Sequence, residues 1–366
     1  MAAGMWCAVT GGRGFMARYL VAALLRSGDW RVRVIDLAPT VVLGAAGEAP
    51  AEDLLGAAIQ DGRASYIQGD VRDLAQITKA FEGVDVVFHT AAPDATNENF
   101  ELHYSVNVEG TQNVIEACIM CKVKRLIYTS SSGVVFDGIH GLFYADESMP
   151  YPLKFVDAYT ETKAEGEKIV MEANGTKGLL TCCIRPGNIF GPGGKNIAML
   201  ASSRIWKFMF ILGSGKNYDD FVFVENVAHS HICAEKTLSN EEGAKIVGGQ
   251  TYFITNMEPV NMWDFVSLIH EYLGYKSQFR IKVPMLVIMV TAYVVYWLCK
   301  AILPIRVSQS LTFTPAKMKY VTLNRTFSCK RANDQLGYKP IVSLKDGLKI
   351  TLESCHNLHA QGLLCK

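Results

Sequence analysis

The first 36 residues follow a pattern that few folds can accommodate. An apolar segment at residues 5–10 runs directly into the turn Gly11-Gly12-Arg13-Gly14, and a periodic segment then continues to Ser27. A second apolar segment, at residues 31–35, ends on Asp36. A strand, a glycine turn, a helix, a strand and an acid in this order indicate the first βαβ unit of a doubly wound parallel sheet.

The same alternation continues further along the chain. Strand-like segments lie at residues 64–68, 84–89, 125–129 and 179–184, with helical patterns between them at 74–81, 100–121 and around 159–163. Strands that alternate with helices require a parallel sheet with helices on both faces. We therefore predict an α/β fold of the Rossmann type, in which ligands bind at the carboxyl ends of the strands. Residues 38–63, rich in Ala and Gly, are predicted to form a surface excursion.

Glycine and proline predict where the nucleotide-binding part ends. Both become frequent just after Arg185-Pro186, so we expect a nucleotide-binding domain at residues 1–186 and a smaller C-terminal substrate lobe at residues 187–366. The segment 219–238 has a short apolar strand followed by a helical pattern. We predict that this segment returns to the Rossmann sheet, so that the two lobes interleave.

The composition narrows the classes of partner and compartment. The 36 Lys and Arg residues nearly balance the 35 Asp and Glu residues, so no net field attracts nucleic acid. Apolar residues make up 49% of the chain and the mean hydropathy is +0.14, which is high for a freely soluble enzyme. The ten cysteines lack the spacing of a disulfide framework, and Cys118-x-x-Cys121 has no second pair. With no signal peptide at the start, we expect structural thiols, no metal site and a reducing, cytosol-facing compartment.

The glycine turn has the chemistry of a dinucleotide site. Gly11 and Gly14 carry no Cβ, so a pyrophosphate can approach the backbone and the N–H groups of the following helix. Asp36 can accept hydrogen bonds from both ribose hydroxyls and would repel a 2′-phosphate, which predicts NAD rather than NADP. Arg33, on the same strand, could soften that preference. The predicted cofactor contacts of this unit are Gly11, Gly12, Gly14, Phe15, Met16 and Asp36.

Further cofactor contacts are predicted after the later strands. Asp70 follows its strand, where a carboxylate could read the amino group of adenine; a purely structural role as a helix N-cap stays open. The other contacts predicted along this edge are Val71, Ala91, Ala92 and Pro186.

Tyr159 and Lys163 are predicted to form a catalytic pair. They lie four residues apart in a helical pattern, so their side chains project from one face. A phenol has an unperturbed pKa of about 10, and a fixed ammonium beside it favours the phenolate, so the pair could provide a general base. The same spacing also occurs on ordinary exposed helices.

Two other polar features accompany the pair. The run Ser130-Ser131-Ser132 ends the strand before that helix, and one of its hydroxyls could hold a substrate hydroxyl in line with the phenol. Serines at strand ends also form turns, and the register of the three stays open. Asn107 lies inside a long predicted helix, where asparagine is unfavourable unless its amide is used.

Together these residues resemble a known family. The motifs Thr10-Gly11-x-x-Gly14, Asp70-Val71, Ser130-Ser131, Tyr159-x-x-x-Lys163 and Arg185-Pro186 are similar to those of the extended short-chain dehydrogenases/reductases, over roughly residues 5–350. The stretch 213–228, with residues 135–138 and 251–256, resembles the 3β-hydroxysteroid dehydrogenase branch. Within that branch the chain looks most like the decarboxylating sterol-4α-carboxylate 3-dehydrogenases, in particular those of plants.

The resemblance implies a reaction and a role for each candidate residue. The reaction is the NAD-dependent oxidation of the 3β-hydroxyl of a 4α-carboxysterol to the 3-ketone, with loss of the carboxylate as CO2. Tyr159 would be the general base, Lys163 its pKa partner and a ribose contact, and Ser131 the substrate-orienting hydroxyl. Ser132 and Asn107 would support them. The resemblance further implies sterol biosynthesis at the cytosolic face of the endoplasmic reticulum membrane, and allows a homodimer or a complex with other enzymes of sterol 4-demethylation.

Three other functions stay open. A 3β-hydroxysteroid dehydrogenase/isomerase would act without decarboxylation. A nucleotide-sugar epimerase or dehydratase shares the fold and the Tyr/Lys pair, but the carboxylates of Asp219-Asp220 are expected to repel its pyrophosphate. A non-catalytic NAD-binding protein that uses the fold for interaction would not need the Tyr/Lys pair.

The apolar run at residues 283–303 predicts a membrane-associating segment. It carries no charge before Lys300 and is slightly shorter than the ~20 residues of a spanning helix. Tyr293, Tyr296 and Trp297 are typical of an interfacial belt. A buried helix of the substrate lobe, a helix that dips into the bilayer and a true span stay open, and the dipping helix is favoured.

Overall fold

A seven-stranded parallel sheet forms the centre of the molecule in a computed structural model that describes residues 4–40, 49–194, 208–272, 274, 279–302 and 313–360. In spatial order its strands are β3 (Ala64–Gln68), β2 (Trp30–Asp36), β1 (Met5–Thr10), β4 (Val86–His89), β5 (Arg125–Thr129), β7 (Leu180–Pro186) and β12 (Gln250–Ile254). The strand order reverses between β1 and β4, which is where ligands of such sheets bind. The predicted Rossmann-type fold is confirmed.

Helices cover both faces of this sheet. They are α1 (Phe15–Ser27), α2 (Ala49–Gln60), α3 (Leu74–Phe81), α4 (Phe100–Tyr104), α5 (Gly110–Met120), α6 (Ala158–Glu172), α7 (Val224–Leu238) and α8 (Glu241–Val247). Val9 packs into one hydrophobic cluster and its neighbour Ala8 into another, because successive strand residues point to opposite faces. Both faces are therefore buried, as a parallel sheet requires.

Residues 38–63 were predicted to form a surface excursion. That prediction was wrong for the helix α2, which packs against the main sheet. Leu54 and Leu55 of α2 pack against the main hydrophobic cluster. The helix escaped detection because alanine favours helix without producing an apolar periodicity. Residues 41–48 of the excursion lie outside the described residues.

The segment predicted to return to the sheet, residues 219–238, does so only through its helix. α7 packs beside α1 and against β5 and β7. Its strand β11 (Phe221–Phe223) pairs instead with β8 (Asn188–Phe190), outside the main sheet. The edge of β7 is taken by β12, whose Tyr252 and Ile254 are fully buried in the main cluster.

The smaller lobe is built around a four-stranded sheet. Its strands are β6 (Leu142–Ala145), β10 (Tyr218–Asp219), β13 (Val260–Asn261) and β15 (Arg325–Phe327), and β9 (Phe208–Leu212) pairs separately with β14 (Phe279–Val283). The described helices of this lobe are α9 (Met262–Tyr272), α10 (Met285–Ile302), α11 (Pro315–Thr322), α12 (Lys330–Leu336) and α13 (Leu344–Ala360). β6 belongs to the smaller lobe although it precedes residue 186, while β12 and α7 follow residue 186 and pack in the main sheet domain. The predicted boundary at residue 186 therefore does not separate two continuous units.

Candidate active site

The glycine turn after β1 lies against the loop that follows β4. Gly11 has a φ of +66°, and a Cβ on it would lie 2.7 Å from Cα of Ala91. A Cβ on Gly12 would lie 2.3 Å from Cγ1 of Val34. Both positions therefore require glycine. Gly14 begins α1 without a side-chain cap, and no acid lies in the first turn, so the helix N-terminus suits an anion such as a pyrophosphate.

Asp36 ends β2 beside this turn. Its Oδ2 accepts a hydrogen bond of 2.9 Å from the N–H of Arg13. Arg33 donates to the carbonyl oxygens of Ala80 and Glu82, at 2.7 and 2.8 Å. Because the Arg33 guanidinium is engaged with the end of α3, it does not soften the preference of Asp36 for an unphosphorylated ribose. The turn and the acid together fit NAD.

Asp70 is paired with a neighbour rather than used as a cap. Its carboxylate forms a 2.5 Å salt bridge with Arg72, and the hydrogen bond to Arg72 lowers the pKa of Asp70. The cap of α3 is Asp73, which accepts from the N–H of Gln76 at 3.1 Å. The structural alternative for Asp70 was therefore wrong, and an adenine amino group would share this carboxylate with Arg72.

The remaining predicted cofactor contacts lie along the same edge of the sheet. Phe15 and Met16 form the first turn of α1, Ala91 and Ala92 follow β4, Val71 follows β3, and Pro186 ends β7. Val71 is buried beneath α5, where a Cβ on Gly110 would lie 2.8 Å from Cγ2 of Val71. Val71 therefore supports this edge of the sheet by packing against α5.

α6 carries both members of the predicted catalytic pair. Asp157 caps this helix, and its Oδ1 accepts from the N–H and the hydroxyl of Thr160, at 2.8 and 2.9 Å. Lys163 is buried, whereas Tyr159 is partly exposed. The cap sets the first turn of the helix, and with it the position of Tyr159.

The amino group of Lys163 is enclosed by a backbone carbonyl and an aromatic ring. Its Nζ donates to the carbonyl oxygen of Thr129 at 2.5 Å and lies 4.0 Å from the ring centre of Tyr128. Burial lowers the pKa of Lys163 to about 7, and the negative charge of Glu167 opposes that shift. The ammonium is therefore close to losing its proton at neutral pH.

Tyr159 does not have the lowered pKa that its spacing from Lys163 predicts. Burial raises the pKa of Tyr159 to about 12, a hydrogen bond with Ser131 lowers it, and the charge of Asp157 raises it. The prediction was wrong for this structure, because the cost of desolvating a phenolate outweighs the interactions that favour it.

Ser131, rather than its neighbours, meets the phenol. Its hydroxyl lies close enough to Tyr159 to lower the pKa of the phenol, and it accepts from the N–H of Gly133 at 3.1 Å. Ser131 is partly exposed, whereas Ser130 and Ser132 are buried. Ser132 belongs to a 3-10 turn at Ser132–Val135 that Ser131 caps.

Asn107 lies in a π-helical turn, Ser105–Glu109, between α4 and α5. Its Nδ2 donates to Oγ1 of Thr162 at 3.0 Å, and its carbonyl accepts from Oγ1 of Thr111 at 2.7 Å. Its buried Oδ1 has no hydrogen-bond partner within the part of the chain that the structure describes. The side-chain amide of Asn107 thus contacts Thr162, the residue next to Lys163. Such turns are frequent at functional sites.

A buried ion pair anchors α6 to the end of β7. Nε and Nη2 of Arg185 donate to the two carboxylate oxygens of Glu167, at 2.9 and 2.6 Å. Tyr151 donates its hydroxyl to the same carboxylate at 2.5 Å. The sequence singled out Arg185 only as part of a motif, and no local signal points to its partner.

The sequence predicts that Asp219 and Asp220 repel a pyrophosphate, but both carboxylates are buried. Asp219 is buried in a 2.6 Å salt bridge with Arg325. Asp220 is also buried and accepts from the N–H of Phe327 at 2.7 Å; burial raises its pKa to about 7. Because these carboxylates are enclosed and one is neutralised, their charge is no ground for excluding a sugar nucleotide.

Tyr320 is a neighbour of the site that the sequence did not reveal. Its Oη donates to Oδ2 of Asp157 at 3.0 Å. The pattern Asp157-x-x-Thr160 is a recognisable helix start, but nothing in the sequence links it to α11.

α10 presents most of its apolar surface to solvent. Only 11% of this helix is buried, and it is the one helix of the described chain long and apolar enough to cross a membrane. Ile288 and Ala292 pack against Met318 of α11. Tyr296 lies near Glu98, in the loop before α4, where it opposes the rise in the pKa of Glu98 caused by burial. The alternative of a buried helix was therefore wrong.

Comparison with known proteins gives several close relatives. A model of the "3-beta hydroxysteroid dehydrogenase/isomerase family" matches residues 8–285. "3beta-hydroxysteroid-dehydrogenase/decarboxylase isoform 1" of Arabidopsis thaliana is 50% identical, over 97% of this chain and 81% of the relative. Isoform 2 is 48% identical, over 97% of this chain and 63% of the relative. The human "Sterol-4-alpha-carboxylate 3-dehydrogenase, decarboxylating" is 35% identical, over 96% of this chain and 88% of the relative.

Solved structures with the same fold are more distant in sequence. A UDP-glucuronic acid 4-epimerase from Bacillus cereus, in complex with UDP-glucuronic acid and NAD, has a TM-score of 0.71 at 21% identity, over 97% of this chain and all of its own. A UDP-glucose 4-epimerase from Thermotoga maritima has a TM-score of 0.70 at 20% identity, with the same coverage. At these identities the likeness shows the fold alone.

Proposed function

Because the chain belongs to the 3-beta hydroxysteroid dehydrogenase/isomerase family, we propose that it oxidises the 3β-hydroxyl of a 4α-carboxysterol with NAD and releases the carboxylate as CO2. The observation that carries this function is the agreement of its relatives. The plant protein at 50% identity and the human protein at 35% are both named as decarboxylating 3-dehydrogenases. The chain is an NAD-dependent oxidoreductase, and the glycine turn with Asp36 holds the cofactor.

The residues around Tyr159 suit the oxidation step. NAD, when bound, accepts the hydride from carbon 3. Tyr159 accepts the hydroxyl proton as general base, and Ser131 holds the same oxygen through a hydrogen bond. Lys163, four residues along the same helix, is proposed to supply positive charge that opposes the rise in the pKa of Tyr159 caused by burial. Asn107 supports that part of the helix through Thr162.

The same two hydroxyls can serve the decarboxylation. Oxidation at carbon 3 turns the substrate into a β-keto acid, whose carbon 4–carboxylate bond breaks to release CO2 and leaves an enolate on the carbon 3 oxygen. Tyr159, now protonated, and Ser131 both donate to that oxygen and stabilise its charge. A proton added at carbon 4 then completes the ketone.

The test is a single incubation of the full chain with NAD and a 4α-carboxy-3β-hydroxysterol, following NADH and CO2 together. Equal amounts of both products are expected. NADH without CO2 would indicate a dehydrogenase/isomerase, and turnover of a UDP-sugar without sterol would indicate a nucleotide-sugar enzyme. NAD binding without turnover of any substrate would indicate a non-catalytic protein.

Tyr159→Phe is expected to abolish NADH formation, because it removes the only atom of that side chain that can accept the proton. The measurement is NADH absorbance under saturating NAD and sterol. Tyr272→Phe, which removes an exposed hydroxyl on α9, is the matched control and should retain activity. Turnover in the Tyr159 variant would remove this residue from the mechanism.

We further propose that α10 dips into the cytosolic face of the endoplasmic reticulum membrane, where a lipid-dissolved sterol is available. Eighteen residues rise about 27 Å, slightly less than the ~30 Å of the hydrocarbon core. One face of α10 is occupied by α11, while Val290, Val294 and Leu298 are exposed. Such a helix, apolar on its free side and attached on the other, favours lying in the interface over spanning it.

Leu298→Glu is expected to weaken binding to phosphatidylcholine vesicles severalfold, because it places a charge on the exposed apolar side. Ile246→Glu on α8 is the matched control, since both side chains are about half exposed, at 54% and 55%. Vesicle flotation measures both. Equal flotation of the two variants would contradict a role for α10. A homodimer or a complex with other sterol-demethylating enzymes stays a prediction.

A further inference from the structure

The cap of the catalytic helix has a second partner from a distant part of the chain. Asp157 uses Oδ1 for Thr160, which closes the first turn of α6, and Oδ2 for the hydroxyl of Tyr320, at 3.0 Å. Tyr320 lies on α11 in the smaller lobe, 163 residues further on. One carboxylate thus joins the turn that carries Tyr159 to the other lobe.

Tyr320 is firmly held on its own side. Its ring lies 5.2 Å from that of Phe136, and the guanidinium of Arg325 lies 4.8 Å from its centre. Burial raises the pKa of Tyr320 well above its ordinary value, so its hydroxyl keeps the proton and donates it. The ring position is set by packing, and the hydroxyl is therefore a fixed donor to Asp157.

The same cluster reaches the hydroxyl that meets Tyr159. A Cβ on Gly133 would lie 2.8 Å from Cγ2 of Thr160, 3.3 Å from Oγ of Ser131 and 3.8 Å from Oη of Tyr320. Thr160, Ser131 and Tyr320 therefore converge on one glycine. A movement of Tyr320 or of the first turn of α6 would change the distance between Ser131 and Tyr159.

We propose that Tyr320 is a positioning residue for the reaction: through Asp157 it fixes the first turn of α6 and tempers the negative charge beside Tyr159. The inference rests on the proposed function, because Tyr159 is taken as the base. Tyr320 does not touch the substrate in this proposal; it acts through Asp157 and the first turn of α6.

The charges around Tyr159 predict the direction in which the pKa of Tyr159 should change when Tyr320 or Asp157 is replaced. The charge of Asp157 raises the pKa of Tyr159. A hydrogen bond from Tyr320 disperses that charge, so its loss exposes the phenol to more of it. The other titratable groups that face Tyr159 or Asp157 stay unchanged in both variants below; they are His103, Tyr128, Lys317 and Glu98.

Two substitutions should move the pH profile of NADH formation in opposite directions. A base must be deprotonated to act, so kcat/KM rises with pH through its pKa. Tyr320→Phe keeps the ring and removes the donor, and the acid limb is expected to move to higher pH with a lower kcat at neutral pH. Asp157→Asn keeps an acceptor for Thr160 and removes the charge, and the acid limb is expected to move to lower pH. KM for NAD should stay near the wild-type value in Tyr320→Phe.

The control removes the same kind of bond elsewhere. Tyr272→Phe breaks a 3.3 Å bond between a phenol and the carboxylate of Glu353, and its pH profile should match the wild type. If Tyr320→Phe also keeps the wild-type limb and kcat, or changes only the melting temperature, the proposal is overturned.

The two proposals can fail separately. If the wild type is active and Tyr320→Phe keeps the wild-type acid limb of the pH profile, only the role of Tyr320 is contradicted. If the wild type forms no NADH, the proposed function fails, and amide hydrogen exchange at residues 158–161 decides the role of Tyr320. Faster exchange there in Tyr320→Phe supports the positioning of α6, and unchanged exchange overturns it.

Discussion

The burial of Lys163 lowers the stability of the folded protein. Its ammonium is almost completely enclosed, with 1% exposure, and its described partners are a carbonyl oxygen and the face of an aromatic ring. Neither compensates fully for the lost water, which is why burial dominates its pKa. A lysine enclosed in such a place is a candidate functional residue rather than a source of stability.

Lys163→Met should therefore be inactive and more stable. The pKa of Lys163 falls from 10.5 in the unfolded chain to about 7 in the fold. The unfolded chain thus binds the proton more tightly, so the penalty is full below about pH 7 and fades as pH rises towards 10.5. The gain in the free energy of unfolding should be largest near pH 7 and small near pH 10. Urea denaturation at the two pH values measures it; a variant less stable than wild type at pH 7 would contradict this account.

The contact between α6 and the π turn depends on a glycine in the middle of a helix. A Cβ on Gly166 would lie 2.3 Å from the carbonyl oxygen of Asn107 and 2.7 Å from Oη of Tyr128. Glycine in a helix interior costs about 1 kcal/mol relative to alanine. Glycine is needed here despite that cost, because the absence of a Cβ lets α6 come close to the π turn. This approach brings Asn107 to Thr162, the residue beside Lys163.

Gly166→Ala tests whether packing or helix propensity decides at this position. Propensity alone predicts stabilisation, whereas overpacking of this kind costs about 1–3 kcal/mol. We expect a lower free energy of unfolding and reduced NADH formation, because α6 must move away from Asn107. Glu165→Ala, next to it and partly exposed, should stay within about 0.5 kcal/mol of wild type. Thermal denaturation compares the two, and a higher melting temperature for Gly166→Ala would show that propensity wins.

The two lobes share one hydrophobic core. Val9 and Leu20, early in the chain, lie in the same buried cluster as Val227 and Leu238 of α7 and Ile254 of β12. A helix and an edge strand that come after residue 186 thus complete the cofactor-binding sheet. The molecule is therefore expected to unfold as one unit.

A fragment of residues 1–194 should fail to fold, because it exposes the edge of β7 and the sheet surface that α7 covers. Urea titration followed by circular dichroism is expected to show no cooperative transition, against a single one for the full chain. A cooperative transition in the fragment would show that the sheet domain is independent, as a boundary at residue 186 would require.

The parts predicted correctly from the sequence are those determined by near neighbours. β3 and β5 occur at the predicted residues, and Asp36 lies beside the glycine turn as expected. Each of these depends on patterns within a strand, a turn or about 35 residues. α2 was missed because alanine carries no periodic signal, and β12 was not distinguished from β11 because both are short apolar runs.

Local patterns were enough to predict the Rossmann-type sheet, the NAD-type turn and the spacing of Tyr159 and Lys163, because period, glycine geometry and helix spacing act within short segments. The packing of distant elements places Ser131 beside Tyr159, pairs Asp219 with Arg325 and brings Tyr320 to Asp157. The last two contacts join residues 106 and 163 positions apart. Such pairs are chosen by how whole elements pack, and burial then sets the pKa of Tyr159 and Lys163, which no local pattern encodes.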